Sequence, residues 1–294
     1  MKLTNIALAG ATLSLSTANP IARRAISDAD ILNYALTLEH LEATFYAQGL
    51  TNYTQADFVN AGFADPFYAN LMEVASDEKT HVSFLTSALS AAGASPVAAC
   101  NYTFPSTDVK SFLALASVLE GVGVSAYLGA AASIMDKTYL TAAGSILTVE
   151  ARHSAYLRAA QGESPFPQPF DAPLDFDEVY TLAAPFITSC PSSNGQLPVK
   201  AFPTLTMTST ASLMSGSIVS LMAGTGFNTT GTLYAAFVTV TGPLFTKVTY
   251  TGNSMFNVTI PTGVAGQSYV VITQSNSTVT DDNIVAGPAI VEVI

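Results

Sequence analysis

Glu78-Lys79-Thr80-His81 and Glu150-Ala151-Arg152-His153 repeat the pattern Glu-x-x-His inside two long runs of helical periodicity. Residues three apart on a helix lie on one face, so each segment directs a carboxylate and an imidazole at the same point. A further helical run with an inward-facing glutamate precedes each pair, Glu39 before the first and Glu120 before the second. A metal ion is the simplest ligand that needs both kinds of side chain.

Four long segments before residue 190 carry apolar side chains at the three- and four-residue spacing of a helix. They cover roughly 30–49, 66–92, 109–135 and 138–160, and a shorter helix is predicted within 175–185. Each long segment places its glutamate, or its Glu-x-x-His pair, in an apolar stripe. This pattern predicts a four-helix bundle with a buried central site.

The polar residues also repeat in order. Glu39 is followed seven residues later by Tyr46, and Glu120 seven residues later by Tyr127. A helix pair that occurs twice predicts a pseudo-symmetric site for two metals. Glu42 also faces inward, but its symmetric position is occupied by Gly123. Glu42 is therefore an extra ligand, a support for a ligand, or a core residue bonded to a tyrosine.

Tyr46, Tyr127 and Tyr156 lie on or near the inward faces of the helices. They either hydrogen-bond the ligands, carry a radical, or pack as ordinary core tyrosines. Gly121 and Gly123 follow Glu120 directly and remove side-chain bulk there, which suits either close helix packing or a substrate cavity.

One buried Glu-x-x-His alone is typical of a hydrogen-bonded core pair. Two such pairs in register with two further buried glutamates favour metal, because each ionised glutamate buried without a partner costs several kcal/mol. Oxygen-rich ligation with one imidazole for each metal indicates two iron or manganese ions rather than structural zinc. The predicted ligands are Glu39, Glu78, His81, Glu120, Glu150 and His153. Glu78 and Glu150 are expected to bridge the two ions.

These residues match, complete and in order, the ligand pattern of the ferritin-like di-metal carboxylate superfamily. The longer strings around them, such as Leu38 to Tyr46 and Glu120 to Tyr127, resemble the secreted branch that includes fungal stress-response and plant desiccation-related proteins. The resemblance covers about residues 28–190. It implies a bundle holding an iron or manganese pair. Sequons and an appended β-domain argue against a closed iron-storage cage.

The first 24 residues read as a secretory signal peptide, with an apolar run from Ile6 that is too short to span a bilayer. Arg23-Arg24 is either a dibasic trimming site that ends a propeptide or a surface pair. Cys100 and Cys190 are the only cysteines, and in an oxidising compartment they predict one disulfide. The N-glycosylation sequons begin at Asn52, Asn101, Asn228, Asn257 and Asn276.

Composition changes near residue 190, and residues 191–204 are predicted to link a bundle of 25–190 to a second domain of 205–294. In that second domain, short Thr-, Val- and aromatic-rich runs alternate with turns at 241–243, 251–253, 261–263 and 286–288. The pattern predicts a small β-sandwich, immunoglobulin-like in architecture, so the fold class is α + β. No run of apolar residues after the signal peptide is long enough to predict a transmembrane segment.

Two functions remain open from sequence. The first is a secreted di-metal oxidoreductase that acts on dioxygen or peroxide, like a ferroxidase or a manganese catalase. The second is a non-enzymatic extracellular or cell-wall stress protein, whose bundle is a scaffold and whose β-domain contacts wall carbohydrate or a protein partner. The net charge of −11 disfavours nucleic acid and anionic membranes as partners.

Overall fold

The computed structural model describes residues 26–208 and 212–294, so the predicted signal peptide and Arg23-Arg24 lie outside it. The helices of this part of the chain are α1 (Asp28–Asn52), α2 (Gln55–Asn60), α3 (Phe67–Ala91), α4 (Val109–Ala130), α5 (Lys137–Ala160) and α6 (Phe176–Ala183). The four long helices correspond to the four predicted segments. The short helix α2 is not predicted from the sequence.

Side-chain caps fix where several helices begin. Ser27, Thr54, Asp108 and Asp175 each accept a hydrogen bond from the backbone N–H three residues later, and the side chain of that later residue returns the contact. A cap of this kind stabilises a helix by about 1 kcal/mol. Two of these caps begin α1 and α4, the helices that carry Glu39 and Glu120.

The four long helices pack as two pairs, α1 against α3 and α4 against α5, and α1 also contacts α4. This is the arrangement that the internal repeat predicts. An aromatic core fills one end of the bundle, with Phe45 stacked on Phe112 at a centroid distance of 4.7 Å and Phe58 tilted against both Phe67 and Tyr68. Edge-to-face and stacked ring pairs of this kind stabilise a core beyond the area that they bury.

The sequence also places Asn33, Thr37, His40, Thr44 and Gln48 on one polar stripe of α1, which predicts a face toward water; in the structure this stripe is only partly exposed. The segment after α3 lies across it: the Asn33 side chain bonds the backbone of Ser95 and Val97, and His40 contacts the carbonyl of Val97. Thr37 is buried. The stripe is polar because several of its side chains hydrogen-bond the backbone of the crossing segment, and not because all of them face water.

Val109–Ser133, which contains α4, is long and apolar enough by length and composition to cross a membrane. Most of it, 67% of its most hydrophobic window, is buried inside the protein. In this fold the helix is the central core element, so its hydropathy is accounted for by packing.

A two-stranded ribbon closes the end of the helical part, with β1 (Asn101–Tyr102) antiparallel to β2 (Ile187–Ser189). The predicted disulfide between Cys100 and Cys190 lies beside this ribbon. Residues between β2 and the next strand contain no helix or strand.

The remaining strands are β3 (Leu205–Met207), β4 (Ile218–Ala223), β5 (Tyr234–Phe237), β6 (Leu244–Gly252), β7 (Met255–Thr259), β8 (Gly266–Thr273) and β9 (Ile284–Val293). They form one antiparallel sheet in the order β3-β4-β7-β6-β5-β8-β9. Strand β6 pairs with β5 through its first half and with β7 through its second half. The sheet thus curls toward a barrel around one apolar core, and the predicted immunoglobulin-like sandwich is not confirmed.

The turn predicted at 286–288 is wrong. Strand β9 runs through Gly287 and Pro288, and the ladder with β8 shifts register at this point. Gly287 adopts a φ of 110° and its N–H donates to the carbonyl of Pro203. A glycine–proline pair in a strand is compatible with such an irregularity, because neither residue is then needed for the regular ladder.

The sheet packs directly on helix α4. The hydroxyl of Tyr269 in β8 donates to the carbonyl of Gly121, and the amide of Gln267 donates to the carbonyl of Val118. A Cβ at Gly121 would lie 2.6 Å from the Gln267 side chain. Gly121 therefore allows the close approach of Gln267 from the sheet, rather than the close packing of two helices.

A second close approach tests the packing of α4. A Cβ at Gly129 would lie 1.7 Å from the carbonyl oxygen of Leu174, whereas a Cβ at Gly144 in α5 would meet nothing within 4 Å. We expect Gly129→Ala to lower the free energy of unfolding by at least about 2 kcal/mol through overpacking. Gly144→Ala, the matched control, should raise it by about 1 kcal/mol through helix propensity. Urea unfolding measures both, and equal effects would contradict the close approach.

The disulfide closes a loop with a sequence separation of 90 residues. Its removal in a Cys100→Ser/Cys190→Ser variant should lower the free energy of unfolding by about 4 to 5 kcal/mol, because the unfolded chain gains entropy. Chemical denaturation with and without reductant measures the loss. The variant itself should be indifferent to reductant, and a loss below about 1 kcal/mol would show that the crosslink constrains little.

Candidate metal centre

The structure brings the six predicted ligand side chains together in the middle of the bundle. The four glutamates are fully buried, and His81 and His153 are 8% and 7% exposed. Their ligand atoms form two overlapping groups, each with all its atoms within 4.8 Å of one another. One group is Glu39, Glu78, His81 and Glu150, and the other is Glu78, Glu120, Glu150 and His153. Glu78 and Glu150 belong to both groups, which is where bridging residues must lie.

Each imidazole presents Nδ1 to carboxylate oxygens from several helices. Nδ1 of His81 lies 3.2 Å from Glu39 and 3.2 Å from Glu150. Nδ1 of His153 lies 3.0 Å from Glu78 and 3.3 Å from Glu120. All four long helices therefore contribute to one compact arrangement of nitrogen and oxygen atoms.

The cluster atoms that lack hydrogen-bond partners are the strongest sign that this site is built for a cation. Among the described residues, they are Glu39 Oε2, both oxygens of Glu78, His81 Nδ1, Glu120 Oε2, both oxygens of Glu150 and His153 Nδ1. Buried polar atoms in folded proteins are nearly always paired, and each exception needs a physical explanation. A set made only of carboxylate oxygens and imidazole nitrogens fits iron or manganese.

Electrostatics agree with a site that needs positive charge. Burial raises the pKa of Glu39 to about 7 and raises the pKa of Glu150 well above its usual value. Burial acts in the same direction on Glu78, but contact with His153 and His81 lowers the pKa of its carboxyl to about 2. Surrounding carboxylates overcome the effect of burial on the imidazoles and raise the pKa of His81 to about 12 and that of His153 to about 11.

Two tyrosines reproduce the internal repeat in three dimensions. Tyr46 of α1 donates its hydroxyl hydrogen to Glu120 of α4, and Tyr127 of α4 donates to Glu39 of α1. Both hydroxyls are buried with their rings. Each terminal glutamate is thus held through one oxygen by the opposite helix, while its other oxygen faces the cluster.

Tyr156 does not belong to this arrangement. Its hydroxyl accepts a hydrogen bond from the amide of Asn70 at 3.1 Å, and its ring stacks on Phe67. Of the three roles left open for Tyr156, its contacts support packing as a core tyrosine: the residue lies at the margin of the aromatic core. The face of a helix on which a residue lies does not determine how far along the bundle axis its side chain packs.

Glu42 and Gly123 break the symmetry of the centre. Glu42 is buried, and a Cβ placed on Gly123 would lie 3.1 Å from its Oε1 and 3.0 Å from Oε2 of Glu150. The space left by the absent side chain at 123 is therefore shared by these two carboxylates. Burial raises the pKa of Glu42 well above its usual value, and the nearby Glu150 and Glu78 act in the same direction.

Asp77 contacts the cluster and is not among the residues predicted from the sequence. Its Oδ2 lies 3.2 Å from Nε2 of His153, and its side chain is 52% exposed. A carboxylate on the far nitrogen of a ligating imidazole fixes the tautomer that leaves the near nitrogen able to bind metal. The sequence does contain a signal for this contact. An acidic residue stands directly before Glu78, whereas Val149 stands at the equivalent position before Glu150.

Proton competition gives a test of the centre. We expect the apparent affinity for Mn²⁺ to rise about tenfold or more for each pH unit between about pH 5.5 and about pH 7.5. The reason is that His81 and His153, whose pKa values are raised, must lose protons before their Nδ1 atoms bind a cation. Calorimetric titration in two buffers of different ionisation enthalpy measures affinity and proton release together. Binding that releases no protons, or whose affinity is flat with pH, would contradict this arrangement.

Comparison with known proteins agrees with the geometry. Residues 27–163 match the family model described as a ferritin-like domain. The chain is also 31% identical over 183 residues to Protein rds1 of Schizosaccharomyces pombe. That alignment covers 62% of this chain and 44% of the yeast protein, so the chain spans less than half the length of this relative. Residues 27–163, which carry all six clustered side chains, therefore belong to the ferritin-like family.

Proposed function

We propose that the ferritin-like domain binds a pair of iron or manganese ions and uses them in redox chemistry on dioxygen or peroxide. The observation that carries the proposal is the set of buried, unpaired ligand atoms from Glu39, Glu78, His81, Glu120, Glu150 and His153. A bundle without a cation there would leave these polar atoms unsatisfied in a core, where each costs free energy.

The two overlapping groups assign the residues to the two ions. Glu39 and His81 would hold one ion, and Glu120 and His153 would hold the other. Glu78 and Glu150, which belong to both groups, would lie between them. Bound iron or manganese would supply the redox chemistry on dioxygen or peroxide.

The surrounding residues prepare the ligands for that role. Tyr46 and Tyr127 orient the terminal glutamates, and Asp77 selects the tautomer of His153. Glu42 lies close enough to Glu150 to hold a proton or to become a further oxygen ligand. The carboxylates are fixed by opposite helices, so the centre is organised before any ion enters.

A small cavity next to the centre supports a small substrate. It has a volume of about 80 Å³ and is lined mainly by apolar side chains, with Glu42 and Gly123 in its wall. Leu182 and Ile290 close it from the side of α6 and the β-domain. A space of this size and polarity suits dioxygen or hydrogen peroxide better than an organic substrate.

We further propose that the protein is secreted, glycosylated and active in stress at the cell surface or wall. The sequence resemblance to fungal stress-response proteins supports this role, as do the sequons and the disulfide. Asn52, Asn101, Asn228 and Asn276 are exposed, as glycan attachment requires. Asn257 is half-buried and its side-chain oxygen accepts a hydrogen bond from Ser220, so this sequon is the least suited to carry a glycan.

The metal proposal is tested by elemental analysis of the secreted protein and of a Glu78→Ala/His153→Ala variant. We expect about two equivalents of iron or manganese in the native protein and loss of at least one equivalent in the variant. The matched control is Glu73→Ala/His40→Ala, which removes an exposed glutamate and the histidine outside the cluster. Circular dichroism establishes that all three proteins are folded.

Oxidation of Fe²⁺ and disproportionation of hydrogen peroxide are then assayed on the same three proteins. Turnover by the native protein and the control, but not by the site variant, is the expected result. Metal bound without turnover would reject the oxidoreductase role and favour the non-enzymatic stress protein. No metal in the native protein, even after anaerobic loading, would reject the centre itself.

A further inference from the structure

A second cavity lies at the contact between the bundle and the sheet, away from the buried cluster. Its volume is about 350 Å³, and its walls come from α4, α5, the segment 165–172 and strand β8. Pockets for small molecules concentrate at domain interfaces and range from about 300 to 1,000 Å³. The residues that line it include none of the six clustered side chains. We call this cavity the interdomain cleft.

The cleft concentrates arginine in an acidic protein. The chain has a net charge of −11, and both arginines within the described ranges, Arg152 and Arg158, line the cleft. Arg158 is buried and neutralised: its guanidinium donates to both oxygens of Glu292, at 3.0 and 2.7 Å, and to the carbonyl of Ser164. It builds the wall and cannot easily bind a ligand.

Arg152 has no such partner. It is exposed, and within residues 26–208 and 212–294 its side chain makes no hydrogen bond and no ion pair. A guanidinium on the wall of a cleft, with its donors unused, is suited to a carboxylate, which it can bind with two parallel hydrogen bonds. In a protein with this net charge, it is also the local point of positive potential that attracts an anion.

Other side chains of the cleft indicate a ligand that also carries hydrogen-bond donors. The amide nitrogen of Gln267 is used by Val118 and Tyr269, so its remaining Oε1 is an acceptor on the cleft wall. Asp171 supplies a second acceptor. An inorganic anion has no use for these acceptors, whereas hydroxyl groups donate to them.

Phe166 adds an aromatic surface. It lies between Pro165 and Pro167, which stiffen the segment, and it is 83% exposed although large and apolar. A ring held in this way offers a flat apolar face at the mouth of the cleft. Exposed aromatic side chains at a concave polar site indicate contact with a ligand that has an apolar face of its own.

We propose that the interdomain cleft binds a hydroxylated ring acid, of the size and chemistry of a single sugar acid. Arg152 binds the carboxylate, Gln267 and Asp171 accept hydrogen bonds from ring hydroxyls, and Phe166 packs on the apolar face of the ring. The site is independent of the metal centre and of the redox chemistry proposed for it.

The probes are D-glucuronate and the neutral sugar D-glucose, titrated calorimetrically into the full secreted protein. We expect D-glucuronate to bind at least about tenfold more tightly than D-glucose, because only the acid engages Arg152. Arg152→Gln should weaken D-glucuronate binding about tenfold or more. Lys247→Gln, which removes the same charge from an exposed position on β6, should change it less than about twofold.

Further variants locate the site. Phe166→Ala should weaken the binding of both sugars, because both lose the aromatic surface. The variant should still fold, because the ring is exposed. Glu78→Ala/His153→Ala should retain D-glucuronate binding, which separates a failure of the cleft from a failure of the metal centre. Equal affinity for the two sugars, equal effects of Arg152→Gln and Lys247→Gln, or no detectable binding would each overturn the proposal.

Discussion

Burial of carboxylates at the centre of an apolar bundle is the constraint on which the rest of this structure depends. An ionised glutamate removed from water is tolerated only if protons, hydrogen bonds or cations compensate its charge. Tyr46 and Tyr127 satisfy one oxygen on each terminal glutamate, and the two imidazoles lie among the remaining oxygens. These charged groups meet at one level of the bundle. The pairing of the helices, the caps of α1 and α4 and the absent side chain at Gly123 contribute to this arrangement.

Periodicity predicted the bundle and the six clustered residues because polar side chains in an apolar stripe are rare and must be explained. Asp77 escaped because it is half-exposed, and its contact with His153 exists only once α3 packs on α5. The role of Tyr156 stayed open in the sequence because a helical face does not specify how far along the bundle a side chain packs. Strand β4, with buried Val219 and Leu221 alternating with exposed neighbours, was readable from its period of two but was not predicted.

The sequence presents residues 205–294 as a separate module with few charges and no histidine, and its strands hold a core of their own. The structure joins this module closely to the helical part. Tyr269 is buried in a cluster that also contains Tyr34, Val122 and Ala126 from the bundle. This contact depends on pairings of residues about 150 positions apart, such as Gln267 with Val118. No local pattern encodes such pairings, so the sequence could not predict them.

The contact between Tyr269 and the backbone of Gly121 means that the segment matched by the family model does not contain all of its own packing partners. The family match ends at residue 163, before α6 and the whole sheet. A fragment cut at that boundary would expose the surface of α4 on which Tyr269 lies, beside the helix turn that carries Glu120. The sheet is therefore part of the scaffold of the helical domain, and neither could be exchanged without repacking the other.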